Sequence, residues 1–106
     1  MKLIIDRKEW LRGEGGENSY LLRHSDHKRC CIGILGKACG IEDHIMLVET
    51  TADSTPDAAW PEWCLKSADI AEAYRVNDNP TIGDIKREHE LTKIFARHDI
   101  EVEFID

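Results

Sequence analysis

The stretch that decides the fold runs from Cys30 to Cys39 and reads Cys-Cys-Ile-Gly-Ile-Leu-Gly-Lys-Ala-Cys. Because Lys37 is its one charged residue, the segment belongs in the interior of the protein, as either a strand or a helix. We favour a helix, since its apolar side chains recur at helical spacing and Gly40 supplies a C-terminal stop. Gly33 and Gly36 lower helix propensity and would be tolerated where they let another element approach closely. A helix that is apolar nearly all round is expected at the centre of the fold.

The elements on either side of this segment predict one small α+β domain over residues 1–106, with about three helices packed on a small sheet. Short β-prone runs predict strands over 3–5, 19–23 and 45–48, and period-two alternation over 100–106 predicts a C-terminal strand. Capping patterns predict a short helix over 7–12, one over 68–76 capped by Ser67 and ended by 77–80, and a longer one from a capping box at 81–84 to His98. The buried face of that last helix is expected to hold Ile85, Leu91, Ile94 and Phe95.

Length and composition exclude several classes of protein. The chain has 106 residues, of which 42% are hydrophobic and 33% are charged, as in a globular domain. No apolar run approaches the roughly 18 residues needed to span a bilayer, and the N-terminus lacks the apolar stretch of a signal peptide. We therefore expect a cytoplasmic protein and exclude a membrane protein, a coiled-coil rod and a multidomain enzyme.

The charges are divided unevenly along the chain. Residues 1–40 carry eight basic and five acidic side chains, a balance of +3, whereas residues 41–106 carry six basic and sixteen acidic, a balance of −10. Nucleic-acid binding over the whole surface is not expected, because phosphate neutralisation needs clustered Lys and Arg. A local anion site in the first forty residues is compatible with this distribution. Solubility is the favoured interpretation of the acidic remainder; the alternative is an acidic face that mimics a polyanion or docks on a basic partner protein.

Candidate metal ligands cluster within 21 residues: His24, His27, Cys30, Cys31, Cys39 and His44. The cluster lacks the paired Cys-x2-Cys knuckle of zinc ribbons, so buried structural thiols are favoured over a metal site. A cysteine nucleophile is a second interpretation, because a helix N-terminus lowers the pKa of a thiol at Cys30 or Cys31. No flanking signature of a cysteine hydrolase appears, so interior packing is favoured. We expect no catalytic residue, metal or cofactor.

An anion site is the interpretation best supported by residue type. Glycines of the loop 13–16 allow close backbone approach, arginines give bidentate contacts, and a tyrosine offers a ring face or a hydroxyl. The loop is not a Walker loop, since it lacks the Gly-Lys-Ser/Thr ending and carries two glutamates. Two tryptophans that flank Pro61 are either lids on the core or stacking faces for a flat ligand. The predicted ligand-binding residues are Arg12, Gly15, Asn18, Tyr20, Arg23, Trp60 and Trp63; the alternative is an ordinary surface loop with solvated arginines.

The chain resembles a scattered group of small, largely uncharacterised phage and prophage proteins over most of its length. The resemblance rests on Trp10-Leu11-Arg12-Gly13-Glu14-Gly15, then Ser19-Tyr20-Leu21-Leu22-Arg23, then Cys30-Cys31-Ile32-Gly33-Ile34-Leu35, and later Val76-Asn77-Asp78. Members often have a further glycine after Asn-Asp, whereas Asn79-Pro80 follows here. The resemblance implies a phage accessory protein acting in a bacterial cytoplasm, and it carries over no catalytic residues.

These features lead to one main functional hypothesis and two alternatives. The main hypothesis is a non-enzymatic phage or prophage protein that counters a host defence system by sequestering a small anionic, nucleotide-type ligand. A pocket between protomers of a homo-oligomer would suit so small a chain. The first alternative is direct inhibition of a host protein through acidic residues 84–106, and the second is a cysteine-dependent enzyme. Direct nucleic-acid binding and membrane association are not expected.

Overall fold

The computed structural model describes residues 1–13, 21–23, 25–43 and 67–106, with only the backbone described for residues 67 and 68. In these ranges the elements are β1 (Lys2–Asp6), α1 (Cys31–Ala38), α2 (Ser67–Asp78), α3 (Asp84–Ala96) and β2 (Glu101–Ile105). The predicted α+β class, with three helices and a small sheet that ends on a C-terminal strand, is confirmed. The strand predicted over 45–48 lies outside the described residues.

The sheet joins the two ends of the described chain. β1 and β2 pair in parallel, with Leu3 opposite Val102 and Ile5 opposite Phe104. Leu3 and Ile5 are fully buried, so one face of β1 points into the core while Ile4 faces outward. Parallel strands need a long crossover connection, and here the helices supply it. The central helix therefore packs beside a sheet built from the first and last elements of the described residues.

The predicted helix over residues 30–39 is confirmed as α1, and it occupies the core. Cys30 is its N-cap, with Sγ accepting a hydrogen bond from the Gly33 amide at 3.5 Å. A Cβ on Gly33 would lie 2.0 Å from the carbonyl oxygen of Leu21, so this glycine admits the backbone of segment 21–23. Gly40 has φ of +90°, which fits the predicted stop. The packing role expected for the helical glycine is met at Gly33.

Helices α2 and α3 close the other side of the core. Leu91, Ile94 and Phe95 of α3 are buried, as their spacing predicts. Asp69 near the start of α2 accepts hydrogen bonds from His98 Nε2 at 2.6 Å and from Arg97 Nη1 at 3.1 Å. These bonds tie the beginning of α2 to the end of α3. Among the described residues, no helix combines the length and the apolar character that crossing a bilayer demands.

The short helix predicted over residues 7–12 is wrong. Residues 7–9 form a turn and Trp10 forms an isolated parallel bridge with Arg29. The Arg29 amide donates to Glu9 O, and Leu11 N donates to Arg29 O at 2.7 Å. These long-range bonds take up the backbone groups that a local helix would use, so tertiary pairing overrides the capping pattern.

Three smaller predictions also differ from the structure. The described part of the strand predicted over 19–23, residues 21–23, is a bend and not a strand. The proposed helix terminator Asn77 lies inside α2, where its buried side chain bonds to other segments. Gly83, and not Thr81, is the N-cap of α3, and it provides no side-chain cap bond. Ile85 is 90% exposed because it falls on the solvent side of the first turn of α3.

Candidate functional site

The buried side-chain amide of Asn77 positions backbone segment 10–13 beside the candidate site. Asn77 is fully buried, and its Oδ1 accepts hydrogen bonds from Trp10 Nε1 at 2.7 Å and from the Cys31 amide at 3.0 Å. Its Nδ2 donates to Leu11 O at 3.0 Å, and its backbone oxygen accepts from Gly13 N at 2.8 Å. Asn77 therefore holds segment 10–13 in one conformation against α1 and α2.

Arg12 projects from that segment with its guanidinium held in place. Its Nη1 donates to the carbonyl oxygens of Arg7 and Trp10, each at 3.1 Å, and its Cζ lies 4.6 Å from the centroid of the Trp10 ring. The opposite edge of the guanidinium, Nε and Nη2, faces Asp84 at 3.4 and 3.5 Å. Charge-assisted hydrogen bonds normally measure about 2.7–2.9 Å, so this edge is only loosely paired.

The loosely paired edge of the Arg12 guanidinium lies at a cavity that is lined by several basic residues. The cavity has a volume of about 300 Å³ and is lined by Trp10, Leu11, Arg12, Arg23, Lys28 and Asp84. Three of these side chains are basic and one is acidic, although the whole protein has a net charge of −7. Such a local excess of positive charge attracts anions to a surface that would otherwise repel them.

The second arginine of the cavity is anchored by a neighbouring carboxylate. Arg23 donates from Nη2 to Asp26 Oδ2 at 2.6 Å and from Nε to Oδ1 at 3.0 Å. This bidentate pair lowers the pKa of Asp26 well below its usual range, with help from the Lys28 amide. The Lys28 ammonium makes no ion pair with any described residue.

Asp84, the acidic residue of the cavity, is held in position by Arg87. Arg87 is 3% exposed and donates from Nη1 to Asp84 Oδ1. Its Nη2 donates to Asn79 O at 2.6 Å and to Ile82 O at 3.1 Å, which also fixes the turn between α2 and α3. Asp84 consequently keeps its place in the cavity through Arg87, independently of Arg12.

The structure brings together two of the predicted ligand-binding residues. Arg12 and Arg23 line one cavity although ten residues separate them in the sequence. Gly15, Asn18, Tyr20, Trp60 and Trp63 lie outside the described residues. The predicted ligand-binding residues did not include Lys28 or Asp84, because nothing in their sequence spacing links them to Arg12. The signal available for Lys28 was its place in the basic first forty residues.

A second, larger cavity has no comparable charge bias. Its volume is about 400 Å³ and it lies between β1 and α1. Its lining residues are Lys2, Leu3, Ile4, Asp6, Glu9, Arg29, Ile34, Lys37 and Ala38. Arg29 is already paired with Asp43 at 2.9 Å, and two carboxylates offset two lysines. This mixture of charged and apolar groups does not point to one ligand chemistry.

The cysteines at the start of α1 do not have the environment of a nucleophile. Cys30 and Cys31 are free thiols and both are buried. Burial raises the pKa of Cys31 well above its ordinary value, despite its position in the first turn of the helix. A thiol that stays protonated at neutral pH is the opposite of an activated one. Within the described ranges, His, Cys, Asp and Glu side chains form no group of three or more suited to a metal ion.

The acidic residues of the C-terminal part are largely engaged in ion pairs. Glu88 accepts two hydrogen bonds from Arg7, at 2.8 and 3.0 Å. Glu103 pairs with Lys2 at 3.0 Å, and Glu90 pairs with Lys93 at 3.6 Å. These cations reduce the negative potential that residues 84–106 present to a partner.

Comparisons with known proteins assign no family to the chain. No family model matches, and no solved structure matches. A lysophospholipase, NTE1, from two strains of Cryptococcus neoformans var. neoformans serotype D is 29% identical over 102 residues. The match covers 88% of this chain and 6% of the fungal protein, so the chain spans a small fraction of the curated relatives it matches.

Proposed function

We propose that the protein is a non-enzymatic binding protein that sequesters a small anionic, nucleotide-type ligand in the cavity of Arg12, Arg23 and Lys28. The observation that carries the proposal is that Arg12 and Arg23 line one cavity. Arg12 supports it further, because two carbonyls and the Trp10 ring hold its guanidinium in place before any ligand arrives. A pre-organised arginine loses little conformational freedom on binding, and its second edge, Nε and Nη2, is paired only loosely with Asp84.

The biological setting of the proposal comes from the resemblance to phage and prophage proteins. In this setting the protein acts in the cytoplasm of a bacterial host and lowers the concentration of a nucleotide-type signal used in defence. The cavity volume of about 300 Å³ is at the lower end for small-molecule sites. A homo-oligomer, in which a second protomer covers the ligand, fits the proposal for this reason.

Calorimetry with cyclic, linear and ADP-ribose-type nucleotides tests the proposal. We expect saturable binding of at least one nucleotide to the wild-type protein. Arg12→Ala and Arg23→Ala should each weaken it by about tenfold or more, because a hydrogen bond to a charged group contributes about 1.5–3 kcal/mol. Arg75→Ala is the matched control, since Arg75 is exposed, lies in α2 and lines neither cavity.

The outcomes separate a specific site from general charge attraction. If Arg12→Ala, Arg23→Ala and Arg75→Ala weaken nucleotide binding equally, the loss of affinity follows from the change in net charge alone, and the proposal is contradicted. Absence of binding by every nucleotide in the panel would also overturn it. Thermal unfolding of each variant identifies a loss of binding caused by misfolding.

The alternative, inhibition of a host protein through acidic residues 84–106, has weaker support. Arg7, Lys2 and Lys93 each neutralise a glutamate on that surface. The cysteine-enzyme alternative is weaker still, because burial raises the pKa of Cys31.

A further inference from the structure

Asp84 places a carboxylate inside a cavity that otherwise attracts anions. Its Oδ1 lies 3.4 Å from Arg12 Nε, and its Oδ2 lies 3.5 Å from Arg12 Nη2. Both oxygens therefore face the one edge of Arg12 that the backbone does not use. An anion that binds this edge must lie beside Asp84, where two like charges repel each other.

Asp84 cannot easily withdraw from such an anion. Its carboxylate is held by Arg87, whose guanidinium is buried and also bonded to the carbonyls of Asn79 and Ile82. If Asp84 moved away, the buried guanidinium of Arg87 would lose its only carboxylate partner among the described residues, and leaving a buried charge unpaired is costly. The negative charge is thus a fixed part of the cavity wall.

Carboxylates limit the positive excess around the cavity before a ligand binds. Among the described residues, Arg12, Arg23, Lys28 and the Asp84 partner Arg87 contribute four positive charges, while Asp84 and the Arg23 partner Asp26 contribute two negative charges. A ligand with one or two negative charges does not exceed this positive excess of two. A triphosphate would bring several, and it would place some of them near Asp84.

A fixed carboxylate also favours ligands that carry a hydrogen-bond donor. An ionised carboxylate accepts hydrogen bonds only, so Asp84 matches a hydroxyl or amino group on the ligand. Resting on the proposed function, we infer that Asp84 makes the cavity selective for singly charged phosphodiester nucleotides with hydroxyl or amino donors, and against polyphosphates.

Calorimetry with 3′,5′-cyclic AMP and with ATP, on the wild-type protein and on Asp84→Asn, tests this inference. We expect the wild-type protein to bind cyclic AMP more tightly than ATP. Asp84→Asn should shift the ratio of the two affinities towards ATP by about tenfold, because it removes the repulsion but keeps an oxygen acceptor for Arg87. Asp99→Asn is the matched control, because it makes the same charge change at an exposed residue beyond the other end of α3.

The ratio of affinities is the decisive quantity, because partial unfolding of a variant lowers both apparent affinities equally. The inference is overturned if the wild-type protein prefers ATP, or if Asp84→Asn has the same ratio of affinities as the wild-type protein. In either case the proposed function still stands, provided that Arg12→Ala and Arg23→Ala weaken nucleotide binding. Failure of both nucleotides to bind either protein overturns the inference; the proposed function is overturned as well if the rest of the panel also fails to bind.

Discussion

Asn77 joins three segments that lie far apart in the sequence. Its side chain bonds to Trp10 Nε1, Leu11 O and the Cys31 amide, and all three groups are buried with it. A buried amide that uses both its oxygen and its nitrogen specifies one arrangement of its neighbours. The order of segment 10–13, and with it the position of Arg12, depends on this residue.

We therefore predict that Asn77→Ala strongly destabilises the protein. The substitution leaves the Trp10 ring nitrogen, the Cys31 amide and the Leu11 carbonyl without their partner, and each unsatisfied buried group costs about 1–3 kcal/mol. We expect a loss of about 3 kcal/mol or more in the free energy of unfolding, measured by urea denaturation. Asn79→Ala should cost less than about 1 kcal/mol, since among the described residues the Asn79 side chain bonds only to exposed Thr81. Equal losses for the two variants would contradict this role of Asn77.

At the scale of the element, α1 depends on close contact with the segment before it. Gly33 faces the Leu21 carbonyl, and the helix has almost no exposed apolar surface there. Close approach between backbones requires a residue without a side chain. The same approach places Leu21 and Leu22 in the core and brings Arg23 to the cavity.

We predict that Gly33→Ala lowers the free energy of unfolding by about 2–4 kcal/mol, because the new Cβ would lie 2.0 Å from a backbone oxygen that must move. Gly83→Ala is the matched control: a Cβ there meets nothing within 4 Å, and its φ of −75° suits any residue. Its effect should stay within about 1 kcal/mol. Thermal or urea unfolding measures both, and a harmless Gly33→Ala would contradict the close packing of α1.

For the whole molecule, ion pairs join elements that are distant in the sequence. The hydrogen bond from His98, together with Arg97, lowers the pKa of Asp69, and Arg97 lowers the pKa of Glu72. Arg29 likewise lowers the pKa of Asp43. Each carboxyl group prefers its ionised form more strongly in the folded state than in the unfolded chain.

We predict that the protein loses stability as the pH falls below about 4. A carboxyl group whose pKa is lowered by folding stabilises the protein fully above its unfolded pKa, near 4, and loses that effect as the pH drops through its lower folded pKa. Melting temperatures between pH 7 and pH 2 should decline in this window. Asp69→Asn should make the decline shallower, whereas Asp99→Asn, at an exposed site, should not. A melting temperature that stays constant down to pH 2 would be inconsistent with these pairs.

Local patterns in the sequence were enough to predict the helices and strands whose buried residues recur at a regular spacing. The apolar run over 30–39, the period-two alternation at the C-terminus and the buried positions Leu91, Ile94 and Phe95 predicted α1, β2 and α3. These patterns work because one buried face of a helix or strand recurs at a fixed spacing. The residue types of Arg12 and Arg23 led to the prediction of an anion site, and the structure places both arginines at one cavity.

Long-range contacts decided the rest of the architecture and of the candidate site. Bonds to Arg29 replaced the helix expected over 7–12, and the parallel pairing of β1 with β2 joins residues about one hundred positions apart. The cavity of Arg12, Arg23, Lys28 and Asp84 likewise draws on segments that no spacing rule connects. Such contacts depend on how whole elements pack and which buried polar groups they satisfy, and that information appears only when the chain is folded.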